Sequence, residues 1–215
     1  MRYIFIIFTV LFFVDSTYCQ NQDSLSFNDL IKKEVLDTSS VYYYPKLLRK
    51  INIKPAEITI SDIFHLYYGQ IFQPEYKFIA YLADDNQGAF RKAVMKGNCS
   101  KIINAGVKVI SKFPVELTTL LHLRNCMEDN KIADTTSFIN LRYRLLLNSI
   151  LSTGDGKDFT TAIKVINEED EYVIKGAIGF LGGKTHGSVI GNHAYDIWEV
   201  GDKKLYFEII MNVEK

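Results

Sequence analysis

The stretch LLLNSILSTGDGKDFTTAIKVINEEDEY, residues 145–172, decides the fold. It opens as a leucine-rich helix end (Leu145, Leu146, Leu147, Ile150, Leu151) and breaks at Ser152-Thr153-Gly154-Asp155-Gly156. Gly154 suits the left-handed residue that ends a helix, and Asp155-Gly156 is a turn pair. Asp158 is placed to cap a short second helix over 159–166, and Glu168-Glu169-Asp170-Glu171 then reads as a solvated acidic turn. Before this pivot the chain has helical periodicity; after it the pattern is that of strands. The fold class expected is α+β, with N-terminal helical hairpins over about 24–166 and a small C-terminal antiparallel sheet over about 171–212.

Working towards the N-terminus, Asp134 to Leu151 forms one amphipathic helix, and Leu117, Leu120, Leu121 and Met127 mark the one before it. Ile102, Ile103, Gly106, Val109, Ile110 and Phe113 mark a third, ended by Pro114; Ala89, Phe90, Ala93 and Val94 a fourth, ended by Gly97-Asn98. Gly97, Ile102, Gly106, Val109 and Pro114 match the turn, second-helix and terminal-proline positions of a tetratricopeptide-type repeat, but its first-helix signature residues are missing. Earlier still, Thr59 to Asp62 starts a helix that runs through Tyr68 to Gly69. Pro45 opens another, and Ser26 with Asp29 caps a first one holding Phe27, Leu30, Ile31 and Val35. Pro74 to Leu82 is apolar and aromatic and fits neither template.

Working outward the other way, Tyr172 to Ile174 and Ala177 to Leu181 read as strand, with Gly176 and Gly179 as bulges. Gly182 to Asn192 reads as a glycine-rich loop. Tyr195 to Val200 and Lys204 to Met211 read as a hairpin across Gly201-Asp202. Leu205, Phe207, Ile209 and Met211 alternate onto one face.

Met1 to Cys19 has the form of a secretory signal peptide: Arg2, an apolar run from Tyr3 to Val14, then small Thr17 and Cys19 ahead of a cut before Gln20. Lipoprotein processing at Cys19 is the rival, which the bulky Tyr18 disfavours. The expectation is an exported, periplasmic or secreted protein without a membrane span, residues 20–215 making one domain. Cys99 and Cys126 remain after cleavage. They lie at helix ends that antiparallel packing brings together, so a disulfide and a pair of buried thiols both stay open.

Lys plus Arg total 25 and Asp plus Glu total 25, so no net charge favours a nucleic-acid partner. Chemistry-bearing patterns are sparse. Gly182-Gly183-Lys184-Thr185 lacks the earlier glycine of a phosphate loop, Ile178 standing in that position. His186, His193 and Asp196 offer imidazole and carboxylate ligands, but spread over a loop rather than at a fixed short spacing, so exposed loop residues are the plainer reading. His122 and Cys126 share a helix face, where packing outweighs catalysis. Asp155 and Asp158 lack the further ligands of a calcium loop. No cofactor is implied.

With 13 Tyr and 14 Phe against one Trp, the aromatics are the best candidate surface. Tyr67 is four residues after Ile63 and should share its buried stripe. Tyr68 follows Phe64 and should reach outward, which makes Tyr42, Tyr44 and Tyr68 the candidate contacts for a protein, peptide or glycan partner. The plainer alternative is that they fill the joint between helices. The function expected is therefore a binding or interaction module; the alternative is a hydrolase-type enzyme with its site at the His186 to Asp196 loop.

The chain resembles a family of exported bacterial proteins known as domain of unknown function 4919. The resemblance rests on Tyr43-Tyr44-Pro45-Lys46-Leu47-Leu48-Arg49, on Leu66-Tyr67-Tyr68-Gly69 with Tyr76, on Ser152-Thr153-Gly154-Asp155-Gly156, on Ala162 to Ile166 and Glu171-Tyr172, and on Tyr195-Asp196 and Leu205-Tyr206-Phe207. Phe64 and His65 depart from it, the family being more polar there. The resemblance implies export and one domain, and it implies no reaction, cofactor or catalytic residue.

Overall fold

Helices come first because capping and apolar periodicity agree in the N-terminal two thirds. The computed structural model describes residues 26–74, 76 and 85–211. The signal-peptide reading of 1–19 and nearly all of Pro74 to Leu82 therefore lie outside the described residues. Among those described there are eight helices, α1 (Phe27–Leu36), α2 (Tyr44–Ile53), α3 (Ile60–Gly69), α4 (Asp85–Met95), α5 (Cys99–Lys112), α6 (Leu117–Asp129), α7 (Ala133–Leu151) and α8 (Glu168–Ala177), with four strands, β1 (Ile163–Val165), β2 (Lys184–Ile190), β3 (His193–Val200) and β4 (Lys203–Ile209). The class is α+β, as the pivot indicates. None of the described helices is long and apolar enough to cross a membrane.

Ser26 caps α1 through the Asp29 N–H, and Thr59 with Asp62 forms a reciprocal capping box at the start of α3. Asp62 also holds Lys50 of α2 at 2.6 Å. Burial opposes ionisation of Asp62, but hydrogen bonds from Lys50 and Thr59 outweigh it and keep its carboxyl below the usual range. Helices α4 to α7 pack as successive antiparallel neighbours. One core joins helices to sheet, setting Ile63, Leu66, Leu146 and Ile150 against Ile163, Val165, Leu205 and Phe207.

The region just after the pivot differs from the expectation in four ways. Residues 159–166 are not a helix. Asp158 does accept backbone N–H groups, but from Thr160 and Thr161 in a tight turn, and Ile163-Lys164-Val165 then alternates buried, half-buried, buried as β1. The acidic run is not a turn. Asn167 caps it through the Glu169 N–H, and acidic residues in the first turn suit the positive end of the helix dipole, Glu168 and Glu169 foremost, so Glu168 to Ala177 is α8. Tyr172 to Ile174 is therefore helical, and Gly179, at φ 76°, closes the helix end while Phe180 N–H bonds back to Lys175 O. Finally, the glycine-rich segment is mostly strand, β2.

The sheet order is β1-β4-β3-β2. The β2–β3 and β3–β4 pairs are antiparallel, but β1 runs parallel to β4, so the sheet is mixed rather than purely antiparallel. Two-residue turns join the hairpins at Gly191-Asn192 and Gly201-Asp202, each glycine at positive φ. Leu205 and Phe207 face the core as expected, Ile209 is half-buried, and Met211 lies exposed beyond the strand.

Candidate functional site

The two outer strands of the sheet meet very different surroundings. Strand β1 is short and its free edge is filled by side chains. Tyr68 donates to the carbonyl of Lys164 at 2.8 Å, and Thr153 Oγ1 accepts from the Lys164 N–H at 2.9 Å. Tyr67 accepts from the Ile166 N–H at 3.2 Å while its own hydroxyl donates to Asp170 Oδ2 at 2.6 Å. Burial pushes both phenols well above the ordinary tyrosine range.

This placement corrects the reading of the tyrosines. Tyr67 is buried, but so is Tyr68, at 0% exposure, because α3 is enclosed on nearly every side and not along one stripe. Tyr44 is also buried, against Gly69. Tyr42 alone of the candidates is half-buried; its ring stacks on His65 at 3.7 Å. His65 in turn sits between Glu34 Oε2 and Ser61 O. The three candidate tyrosines thus serve three separate places and form no shared groove.

His186, His193 and Asp196 are not loop residues but lie on the β2–β3 hairpin. His193 Nδ1 is 2.5 Å from Glu208 on the outer face of the sheet. Asp196, an odd number of positions on, points to the opposite face. His186 is exposed opposite Ile197, four residues along β2 from the partner of His193, hence roughly 13 Å away. The three do not converge, and among the described residues no group of three metal-binding side chains is found. Glu208 also receives Lys164 Nζ at 2.6 Å; burial opposes its ionisation, but the Lys164 and His193 contacts outweigh that and hold it low. The network borders an open cavity of about 310 Å³ between the start of α1 and the end of β4.

The acidic turn of α8 is the part that sequence reasoning missed. Its carboxylates diverge to three elements. Glu169 pairs with Arg91 of α4 at 2.9 Å, Asp170 takes the Tyr67 hydroxyl, and Glu171 Oε2 accepts from Trp198 Nε1 at 2.6 Å. Burial, with Glu116 nearby, pushes the Asp170 carboxyl well up. Burial pushes Glu171 up to about 8, the Trp198 bond opposing and Asp196 adding to the rise. Lys175, one turn on, donates to Gly182 O at 2.9 Å and lies over the Trp198 indole. The signal was present in the sequence: Asn167, then Asp170 three residues later, then Val173 and Ile174, is a helix start.

Among the described residues no strand pairs with the outer side of β2. Six of its seven residues are exposed, Val189 by 75%. The two-residue turn makes Ile190 and His193 a hydrogen-bonded pair, so Ser188, His186 and Lys184 face β3 and the N–H and C=O groups of Thr185, Gly187 and Val189 point outward. Among the described residues no hydrogen bond reaches them.

At the far end of the helical part, Cys99 and Cys126 are joined in a disulfide with Cα atoms 5.2 Å apart. It ties the start of α5 to the end of α6 and leaves no thiol beside His122, whose imidazole burial holds below its ordinary range.

A family model described as a domain of unknown function (DUF4919) matches residues 29–215. No curated protein and no solved structure matches the chain.

Proposed function

The chain belongs to the DUF4919 family, and on that premise we propose that it is an exported binding module that takes an extended segment of another protein as a fifth strand against β2. One observation carries this reading: a seven-residue edge with three outward-facing residues and, among the described residues, no cover, in a sheet whose other edge is capped by three side chains. Main-chain hydrogen bonds to such an edge supply affinity, and alternate side chains supply selectivity. Natural edge strands are blunted by proline, bulges or inward charges; the β2–β3 register is continuous and the strand contains no proline. The disulfide supports export, since such bonds persist in oxidising compartments. A hydrolase site over 186–196 draws no support from His186, His193 and Asp196, since the two histidines stand roughly 13 Å apart on one face and Asp196 lies on the other.

The test is selection of seven-residue displayed peptides on the mature protein, followed by rebinding to Val189→Pro, which removes one outward donor without touching the β3 ladder. Binders that lose affinity for the variant support strand uptake; binders indifferent to it overturn the proposal. A concentration-dependent dimer of the protein alone, abolished by the same substitution, would make a second copy the occupant and overturn it too.

A further inference from the structure

Gly187 is the middle of the three outward residues of β2, and it lacks the side chain that would cover the inner face of the sheet there. A Cβ built on it would meet only Asp196 Oδ1, at 3.6 Å, and the Tyr195 carbonyl, at 3.9 Å. The open edge therefore carries a notch at its centre, and the floor of the notch is the Asp196 carboxylate. Behind Asp196 stands Glu171, 1% exposed, its carboxyl held against that of Asp196. The ammonium of Lys175, beside Glu171, is committed to Gly182 O and the Trp198 ring. Among the described residues no base pairs with Asp196.

We propose that the strand taken up by β2 carries a lysine or arginine opposite Gly187, read by the Asp196 carboxylate through the notch. The inference rests on strand uptake at β2 and adds the chemistry of its occupant. A residue paired with Gly187 across a hydrogen-bonded antiparallel position sends its side chain to the same face as Asp196. Its Cα lies two strand spacings from Asp196, roughly 10 Å. A lysine side chain reaches on the order of 6 Å, and the aspartate itself covers most of the rest, so the two charged ends meet above Gly187. A residue with a branched side chain at 187 would stand in that path. The Asp196 carboxylate, paired with no base, favours a positive occupant, and an acidic one would set a second negative charge beside it.

The experiment uses three synthetic peptides with blocked ends, Thr-Val-Thr-Lys-Thr-Val-Thr and its counterparts with norleucine or glutamate at the centre. Their dissociation constants are measured by fluorescence anisotropy on the mature protein and on Asp196→Asn, Gly187→Val and Val189→Pro. The lysine peptide is expected to bind on the order of tenfold more tightly than the norleucine peptide, corresponding to about 1.4 kcal/mol, and the glutamate peptide most weakly. That preference should vanish in Asp196→Asn and in Gly187→Val, while the norleucine peptide binds Asp196→Asn as it binds the wild type. Equal affinity for lysine and norleucine peptides, both lost in Val189→Pro, overturns the charge reading and leaves strand uptake standing. Failure of all three peptides up to about 1 mM, or undiminished binding to Val189→Pro, overturns both.

Discussion

The two edges of one sheet pose the same problem and answer it in opposite ways. Both β1 and β2 have backbone groups with no neighbouring strand. At β1 those groups are met one by one, by Tyr68, Thr153 and Tyr67, all buried or half-buried. At β2 they are left to solvent along a strand more than twice as long. The cost of an unmet polar group depends on burial: an edge buried under helices must be satisfied from within, whereas an exposed edge is satisfied by water until something better arrives. Closing an edge with side chains uses positions that a binding surface would need, and here Tyr68, one of the three tyrosines read as ligand contacts, is spent on closure.

The largest test of this contrast is Tyr67→Phe. It strips a partner from both the buried Asp170 carboxyl and the Ile166 N–H, and should cost about 3 kcal/mol of stability in urea unfolding. A loss below about 1 kcal/mol would mean that the closed edge does not depend on its caps. Next comes Gly154→Ala. Gly154 does not sit at positive φ, contrary to the expectation of a left-handed helix end; instead a Cβ there would run into the backbone carbonyls of Thr161 and Ala162, just ahead of β1. Forcing the loop off that strand should cost about 2 kcal/mol, read from the shift in urea midpoint at unchanged m-value.

A smaller effect concerns pH. Glu171 has its pKa raised from an ordinary 4.5 to about 8, burial being the main cause. Between those values the folded protein holds a proton that the unfolded chain has released, so this contribution is complete below about 4.5 and is lost as pH rises through the window. Stability should fall by about 1 kcal/mol or more between pH 5 and 8, and the slope should be shallower in Glu171→Gln, which keeps the acceptor for Trp198. Asp170, also pushed up by burial, leaves a residual slope of the same sign. An identical slope in wild type and variant would remove Glu171 from the account. The smallest effect is expected at the open edge: Val189→Pro should change stability by no more than about 0.5 kcal/mol, because the lost N–H points to solvent. A loss comparable to Tyr67→Phe would show that the edge is not free.

What could be read from the sequence follows from how local each signal is. Caps and breakers, such as Ser26, Thr59 with Asp62, Pro45 and Gly201-Asp202, act within a few residues, and the elements they bound lie where their spacing puts them. The region after the pivot was misread because its local signals compete. Thr160 and Thr161 beside Asp158 favour a turn over a helix, and Tyr-Val-Ile at 172–174 has strand propensity that the capped, acidic first turn of α8 overrides. The burial of Tyr68 was not legible, since it depends on β1 lying against α3, 96 residues away along the chain. Neither was the open edge, because strand order is a property of the whole sheet. His186, His193 and Asp196 group together by proximity in the chain, but distance along the hairpin separates the two histidines and strand alternation turns Asp196 to the other face.

Strand order also has a consequence for how the molecule comes into being. The last strand in chain order among the described residues, β4, is an interior one, holding β1 on one side and β3 on the other. Until Lys203 to Ile209 has emerged, β1 has no neighbour and β2–β3 is an isolated hairpin, a unit of marginal stability in water. Docking of the sheet on the helices through Leu205 and Phe207 waits for the same few residues. A chain stopped at Val200 therefore lacks the strand that joins the two ends of the sheet, and leaves β1 and the β2–β3 hairpin apart.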